Sequence, residues 1–160
     1  MSRGDISIIK GAGPAVKWQT EANSTAILAG EPVKLKSAGS PYGIICADAD
    51  LTIGTDTVFL GIAATDSTHT ASVDGFVNVY MVTPTTVLRA KAKTSSTVDT
   101  QAEIDALCGD RVVLDATSSV WTIDAAAGDN SANAFYILGG DPIKGTLDVS
   151  CRLDSSYSAL

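Results

Sequence analysis

The sequence predicts a mainly β fold: a small β-barrel or β-sandwich with one short helix, at about residues 100–108, and an extended N-terminal arm. Three observations predict it. The runs Val58–Asp66 and Val73–Val82 are apolar and β-prone, and the small polar loop Ser67–Ser72 joins them. That is the pattern of a long hairpin buried on both faces. Near the C-terminal end, Leu147, Val149, Cys151 and Leu153 alternate with Asp148, Ser150, Arg152 and Asp154. A one-residue slip there would put every apolar side chain in water, so the register is well specified. Elsewhere, short apolar runs recur between turn residues, as in sandwiches and barrels.

The elements follow in order. Residues 1–25 read as an extended arm, because Gly11-Ala12-Gly13-Pro14 interrupts any regular element and Pro14 steers Gly13 away from the helical region. Val16 and Trp18 suit a short strand or an anchor, with Trp18 packed on its own domain or on a neighbour. Residues 26–160 read as a single β-rich domain. Pro32 opens a strand in which Val33 and Leu35 alternate with Lys34 and Lys36. Ser37–Gly43 is a turn-rich loop, Ile44-Ile45-Cys46 a short strand, and Ala49–Thr57 a polar connection to the hairpin.

From Thr86 to Lys93, Leu88, Ala90 and Ala92 share one face, while Arg89, Lys91 and Lys93 share a solvated one. Thr100 and Glu103 form a capping box, Ile104 and Leu107 lie on one helical face, and Gly109 ends the helix. Two turns of helix need packing against the sheet for their stability. Arg111–Asp115 and Val120–Asp124 make a second hairpin, 125–132 a loop, and Ala134–Leu138 a strand closed by Gly139-Gly140-Asp141-Pro142. No internal repeat is visible.

Composition excludes several classes. A chain of 160 residues suits one domain. At that size it buries roughly 70% of its unfolded surface and needs no disulfide or metal staple. The net charge of −7 argues against a nucleic-acid binder, which needs a basic face. Residues 1–45 hold five basic groups against three acidic ones, and the remainder holds six against fifteen. The split reads either as solubility or as a basic N-terminal part that meets an acidic partner. Cys46, Cys108 and Cys151 form no CxxC, which excludes a zinc motif and fits reduced, mostly buried thiols in a protein made in a cytoplasm. The start leads into no signal-peptide core, and no run reaches the roughly 20 apolar residues of a membrane helix.

Motifs for catalysis or cofactors are weak. His69 is the lone histidine, in a polar loop, and no GxSxG turn presents a nucleophile. Asp48–Gly54 is similar to a calcium loop, but its glycine falls one place late and Phe59 stands where a bidentate Glu belongs. Gly11-Ala12-Gly13 lacks the Gly-Lys-Ser/Thr of a phosphate loop. Arg3-Gly4-Asp5 matches an integrin-binding tripeptide and Asn23-Ser24-Thr25 a glycosylation sequon, both short signals. The expectation is a protein that is not an enzyme and holds no metal or cofactor.

Four segments carry a resemblance: Leu28-Ala29-Gly30-Glu31-Pro32-Val33-Lys34-Leu35, Phe59-Leu60-Gly61-Ile62-Ala63, Gly75-Phe76-Val77-Asn78-Val79-Tyr80 and Gly109-Asp110-Arg111-Val112. Over roughly 26–153 the chain resembles the capsid decoration, or cement, proteins of tailed bacteriophages. The resemblance implies a barrel or sandwich bound to the outer surface of an expanded capsid. Its partner would be the major capsid protein, its state a homo-oligomer, with a trimer favoured, and its place the virion. An N-terminal arm would reach neighbouring subunits, so Arg3, Lys10, Lys17 and Trp18 are the candidate capsid-binding residues. Other readings are a β-rich tail or fibre-base protein and an adhesin-like module.

Overall fold

Eleven strands make up two antiparallel sheets among the described residues of the computed structural model, which are 5–37, 39–46, 58–83, 85–117, 120–127, 129 and 133–151. In chain order they are β1 (Ser7–Lys10), β2 (Ala15–Thr20), β3 (Pro32–Leu35), β4 (Gly43–Ile45), β5 (Phe59–Ala63), β6 (Gly75–Met81), β7 (Val87–Lys91), β8 (Arg111–Thr117), β9 (Val120–Asp124), β10 (Phe135–Asp141) and β11 (Thr146–Cys151). One sheet runs β1-β7-β11-β10-β8-β9 and the other β2-β6-β5-β3-β4. The fold is mainly β and sandwich-like, and neither sheet closes into a barrel.

The chain is an internal duplication at the level of structure. Strands β2 to β6 are ordered β2-β6-β5-β3-β4, and β7 to β11 are ordered β7-β11-β10-β8-β9. Both sets therefore follow one path: first, fifth, fourth, second, third. In each, an isolated parallel bridge links the paths of the first and third strands: Gln19 of β2 with Tyr42 just before β4, and Ala92 just after β7 with Ile123 of β9. The registers agree residue by residue. Pro32 faces Ile62 as Arg111 faces Tyr136, and Tyr80 faces both Ile62 and Ala15 as Ser150 faces both Tyr136 and Val87.

The corners agree as well. The Gly30 N–H donates to the Ala63 carbonyl at 2.8 Å, and the Gly109 N–H to the Ile137 carbonyl at 2.8 Å. The return bonds are from the Ala63 N–H to Glu31 and from the Ile137 N–H to Asp110. Gly30 has φ 91° and Gly109 has φ 92°, the left-handed region in which glycine carries no Cβ penalty. Gly30-Glu31-Pro32-Val33-Lys34-Leu35 and Gly109-Asp110-Arg111-Val112-Val113-Leu114 are two copies of one corner. The sequence hid the repeat because loops of different length separate equivalent strands, so no single period relates the halves.

Each half builds its core from the same positions. Val33, Val77, Val79 and Met81 fill the smaller core, and their equivalents Val112, Leu147, Val149 and Cys151 fill part of the larger. Strand β5 is buried at all five positions because it stands between the two: Phe59 and Ile62 join the larger core, Leu60 and Ala63 the smaller. Phe59 meets Phe135 edge to face, 5.7 Å between centroids, which ties the halves together.

The expected hairpin is present, but only β5 is buried on both faces. Strand β6 alternates, with Val77, Val79 and Met81 inward and Phe76 and Tyr80 exposed. Strand β10 runs on through Gly139-Gly140-Asp141, where a turn was expected, because a bulge between Ile137 and Gly139 lets pairing with β11 continue.

The helix α1 spans Gln101–Leu107. The Glu103 N–H donates to Thr100 Oγ1, and Glu103 Oε2 accepts from the Thr100 N–H and hydroxyl at 3.0 and 2.9 Å. The Thr100 hydroxyl, with Asp99, holds the Glu103 carboxyl below its usual range. Ile104 is fully buried and fixes the helix on the larger core.

Residues of the expected arm take part in both sheets. Strand β1 pairs with β7, and β2 pairs with β6 along its whole length. Ile6 is buried in the larger core and Thr20 is fully buried. Pairing thus crosses the expected boundary at residue 26.

Candidate functional site

Strand alternation determines where each expected contact residue falls. Arg3 lies outside the described residues. Lys10 is exposed on β1, at the edge of one sheet, and Lys17 is exposed on β2, at the edge of the other. Trp18 follows Lys17 and so turns to the opposite face, half-buried against the smaller core, with its Nε1 enclosed and making no hydrogen bond. Lys17 and Trp18 therefore do not form one surface.

Lys17 is instead grouped with two aromatic residues of the hairpin expected to be buried. Its Nζ sits 3.6 Å from the centroid of the Phe76 ring. Phe76 is 37% and Tyr80 41% exposed, on the outer face of β6, with Asn78 between them. Opposite them on β2 stand Gln19, Lys17 and Ala15. Tyr80 also lines an open cleft of about 440 Å³, together with Ile6, Ile8, Ile62 and Ala63. A signal for Phe76 and Tyr80 was present: the period-two run Val77, Val79, Met81 places the intervening aromatics on the other face.

The second half carries different chemistry on the equivalent face. Thr146, Asp148 and Ser150 replace Phe76, Asn78 and Tyr80, and Arg89 replaces Lys17. Arg89 bonds Asp148 through two nitrogens, at 2.6 and 2.7 Å, and this pairing raises the guanidinium pKa. Lys93 bridges Asp115 and Asp124, both at 2.9 Å, and its pKa is likewise raised. Two of the three cations on the expected solvated stripe are thus spent on ion pairs. The Phe76–Tyr80 face instead keeps two aromatic rings in water.

The other candidates have structural duties. His69 Nε2 lies 2.9 Å from the Ser24 carbonyl, a bond that requires the ring proton on Nε2, and Nδ1 is buried without a hydrogen bond. The ring ties the β5–β6 loop to residue 24. The Asp5 carboxylate accepts the Trp121 N–H at 3.1 Å, which commits one member of the Arg3-Gly4-Asp5 tripeptide to the fold. The segment Asp48–Gly54 lies outside the described residues. Among the described residues, no group of three His, Cys, Asp or Glu side chains is placed to hold a metal. Cys46 and Cys151 are buried, Cys108 is exposed, and none of the three is in a disulfide. No helix among the described residues is long and apolar enough to cross a membrane.

No protein-family model matches this chain, and no curated protein matches it.

Proposed function

We propose that the protein binds the outer surface of an assembled bacteriophage capsid and stabilises it, and that the Phe76–Tyr80 face with Lys17 makes the contact. One observation carries the reading: two equivalent sheet faces exist in one chain, and only one keeps exposed aromatics with a cation over a ring. The motifs similar to decoration proteins add to it, and two of them are the duplicated corner at Gly30 and Gly109. A ligand that binds the assembled shell better than the free subunit stabilises the shell by mass action. Many copies on one lattice let modest contacts sum. The trimer belongs to the same proposal, through the resemblance alone.

Co-sedimentation with purified expanded, tail-less heads tests it. The native chain should pellet with the heads and raise their melting temperature. A Phe76→Ser/Tyr80→Ser variant should bind at least tenfold more weakly, since buried aromatic anchors carry much of an interface's energy. A native chain that stays in the supernatant overturns the proposal, and pelleting with tails instead would assign it to the tail. Deleting residues 1–25 is the poorer experiment, because it removes β1, β2 and Ile6 from the fold.

A further inference from the structure

The duplication exposes a missing strand. In the second half, β1 lies along the outer edge of β7, with Ser7 opposite Arg89, Ile8 opposite Leu88 and Lys10 opposite Val87. The equivalent edge belongs to β2, at Ala15, Val16 and Lys17. No described strand covers it; β2 ends its sheet, and beyond Lys17 its Gln19 bridges Tyr42, just before β4. Side-chain burial records the difference. Leu88 is 1% exposed, whereas its equivalent Val16 is 36% exposed.

Backbone polarity agrees. The Met81 N–H donates to the Pro14 carbonyl, so positions 14, 16 and 18 turn their main-chain groups toward β6. Antiparallel alternation then turns those of Ala15 and Lys17 away from β6, toward the open edge. The equivalent groups of Val87 and Arg89 face β1.

We infer that the Ala15–Lys17 edge of β2 is a docking site for one extended, antiparallel strand of the capsid subunit; this rests on the capsid-binding reading above. The strand on β7 supplies the template: an apolar residue beside Val16, as Ile8 stands beside Leu88. Lys17 adds a preference for an acidic side chain next to it. A second copy is the poorer occupant. Edge-to-edge pairing would bring two Lys17 residues onto one small patch, and a lysine on an edge strand is a known guard against self-pairing. Each copy also carries a net charge of −7. Main-chain bonds would supply affinity, and the side chains flanking Val16 specificity.

Ala15→Pro tests the edge directly. Proline on an edge strand, with its missing N–H toward solvent, is compatible with the sheet, but it removes a donor the incoming strand requires. Binding to purified expanded heads should fall at least tenfold while the melting temperature of the free protein holds. Hydrogen exchange of the native chain, free and head-bound, is the second measurement: the Ala15 and Lys17 amides should slow at least tenfold on binding. Native binding with unchanged exchange at both amides, or full binding by Ala15→Pro, overturns the strand-docking inference and leaves capsid binding standing. A native chain that ignores the heads overturns both. Loss of self-association in Ala15→Pro with head binding intact gives the edge to a second copy and also overturns the inference.

Discussion

Leu88 and Val16 hold the same place in two copies of one fold, and their surroundings differ. Leu88 is covered by β1; Val16 faces an open edge. The same contrast runs across the outer faces, where Arg89–Asp148 in one half answers Lys17, Phe76 and Tyr80 in the other. A shared backbone path leaves each half free to vary what faces outward, since inward positions carry the packing and outward ones do not. The second half pairs its outward Arg89 with Asp148 and has β1 on its β7 edge. The first keeps two aromatic rings in water and has no described strand on its β2 edge.

That comparison can be broken most severely at the seam. Phe135→Ala removes the ring that meets Phe59 and should cost about 3–5 kcal/mol in urea unfolding. A single shifted transition would show that the halves unfold together; two transitions would show them independent. Next comes the matched pair. Leu88→Ala should cost about 2–5 kcal/mol and Val16→Ala less than about 1 kcal/mol. Equal losses would mean that Val16 is covered in solution. Smaller still is Arg89→Ala, worth about 1 kcal/mol, because the bidentate pair with Asp148 is partly exposed.

Acid should remove from the second half an ion pair that the first lacks at the equivalent position. Arg111 holds the Asp129 carboxyl down to about 2, while the equivalent of Arg111 in the first half is Pro32, which bears no charge. A depressed carboxyl contributes stability that is present above its unfolded value of about 4 and is lost as pH falls toward about 2. Asp129→Asn should therefore lower the melting temperature most at neutral pH and least near pH 2, which flattens the fall in stability over that window, measured as melting temperature against pH.

Several elements were legible in the chain itself. The capping box at Thr100 and Glu103, the alternation of Leu147, Val149 and Cys151, and the second hairpin depend on neighbours in sequence, and each formed as its local pattern required. The fate of Phe76 and Tyr80 was half legible. Their spacing set them opposite Val77 and Val79, but an apolar run carries no mark of whether both its faces are covered. That depends on what packs above, which for β5 is the other half of the molecule and for β6 is water.

The division at residue 26 shows the same limit. Gly11-Ala12-Gly13-Pro14 does separate β1 from β2, as such residues should. Their destinations, one sheet each, were set by pairing partners far along the chain, near residues 89 and 78.

By itself, then, the sequence determined the class of fold, the alternating faces of its strands, the helix and its cap, because these follow from backbone stereochemistry and the period of apolar residues. Only the tertiary structure decided that the chain is one five-strand path laid down twice, and which face and edge of the first copy stay uncovered. Those are matters of long-range pairing, in which hydrogen bonds between distant strands select a register that loops of unequal length conceal from the linear text.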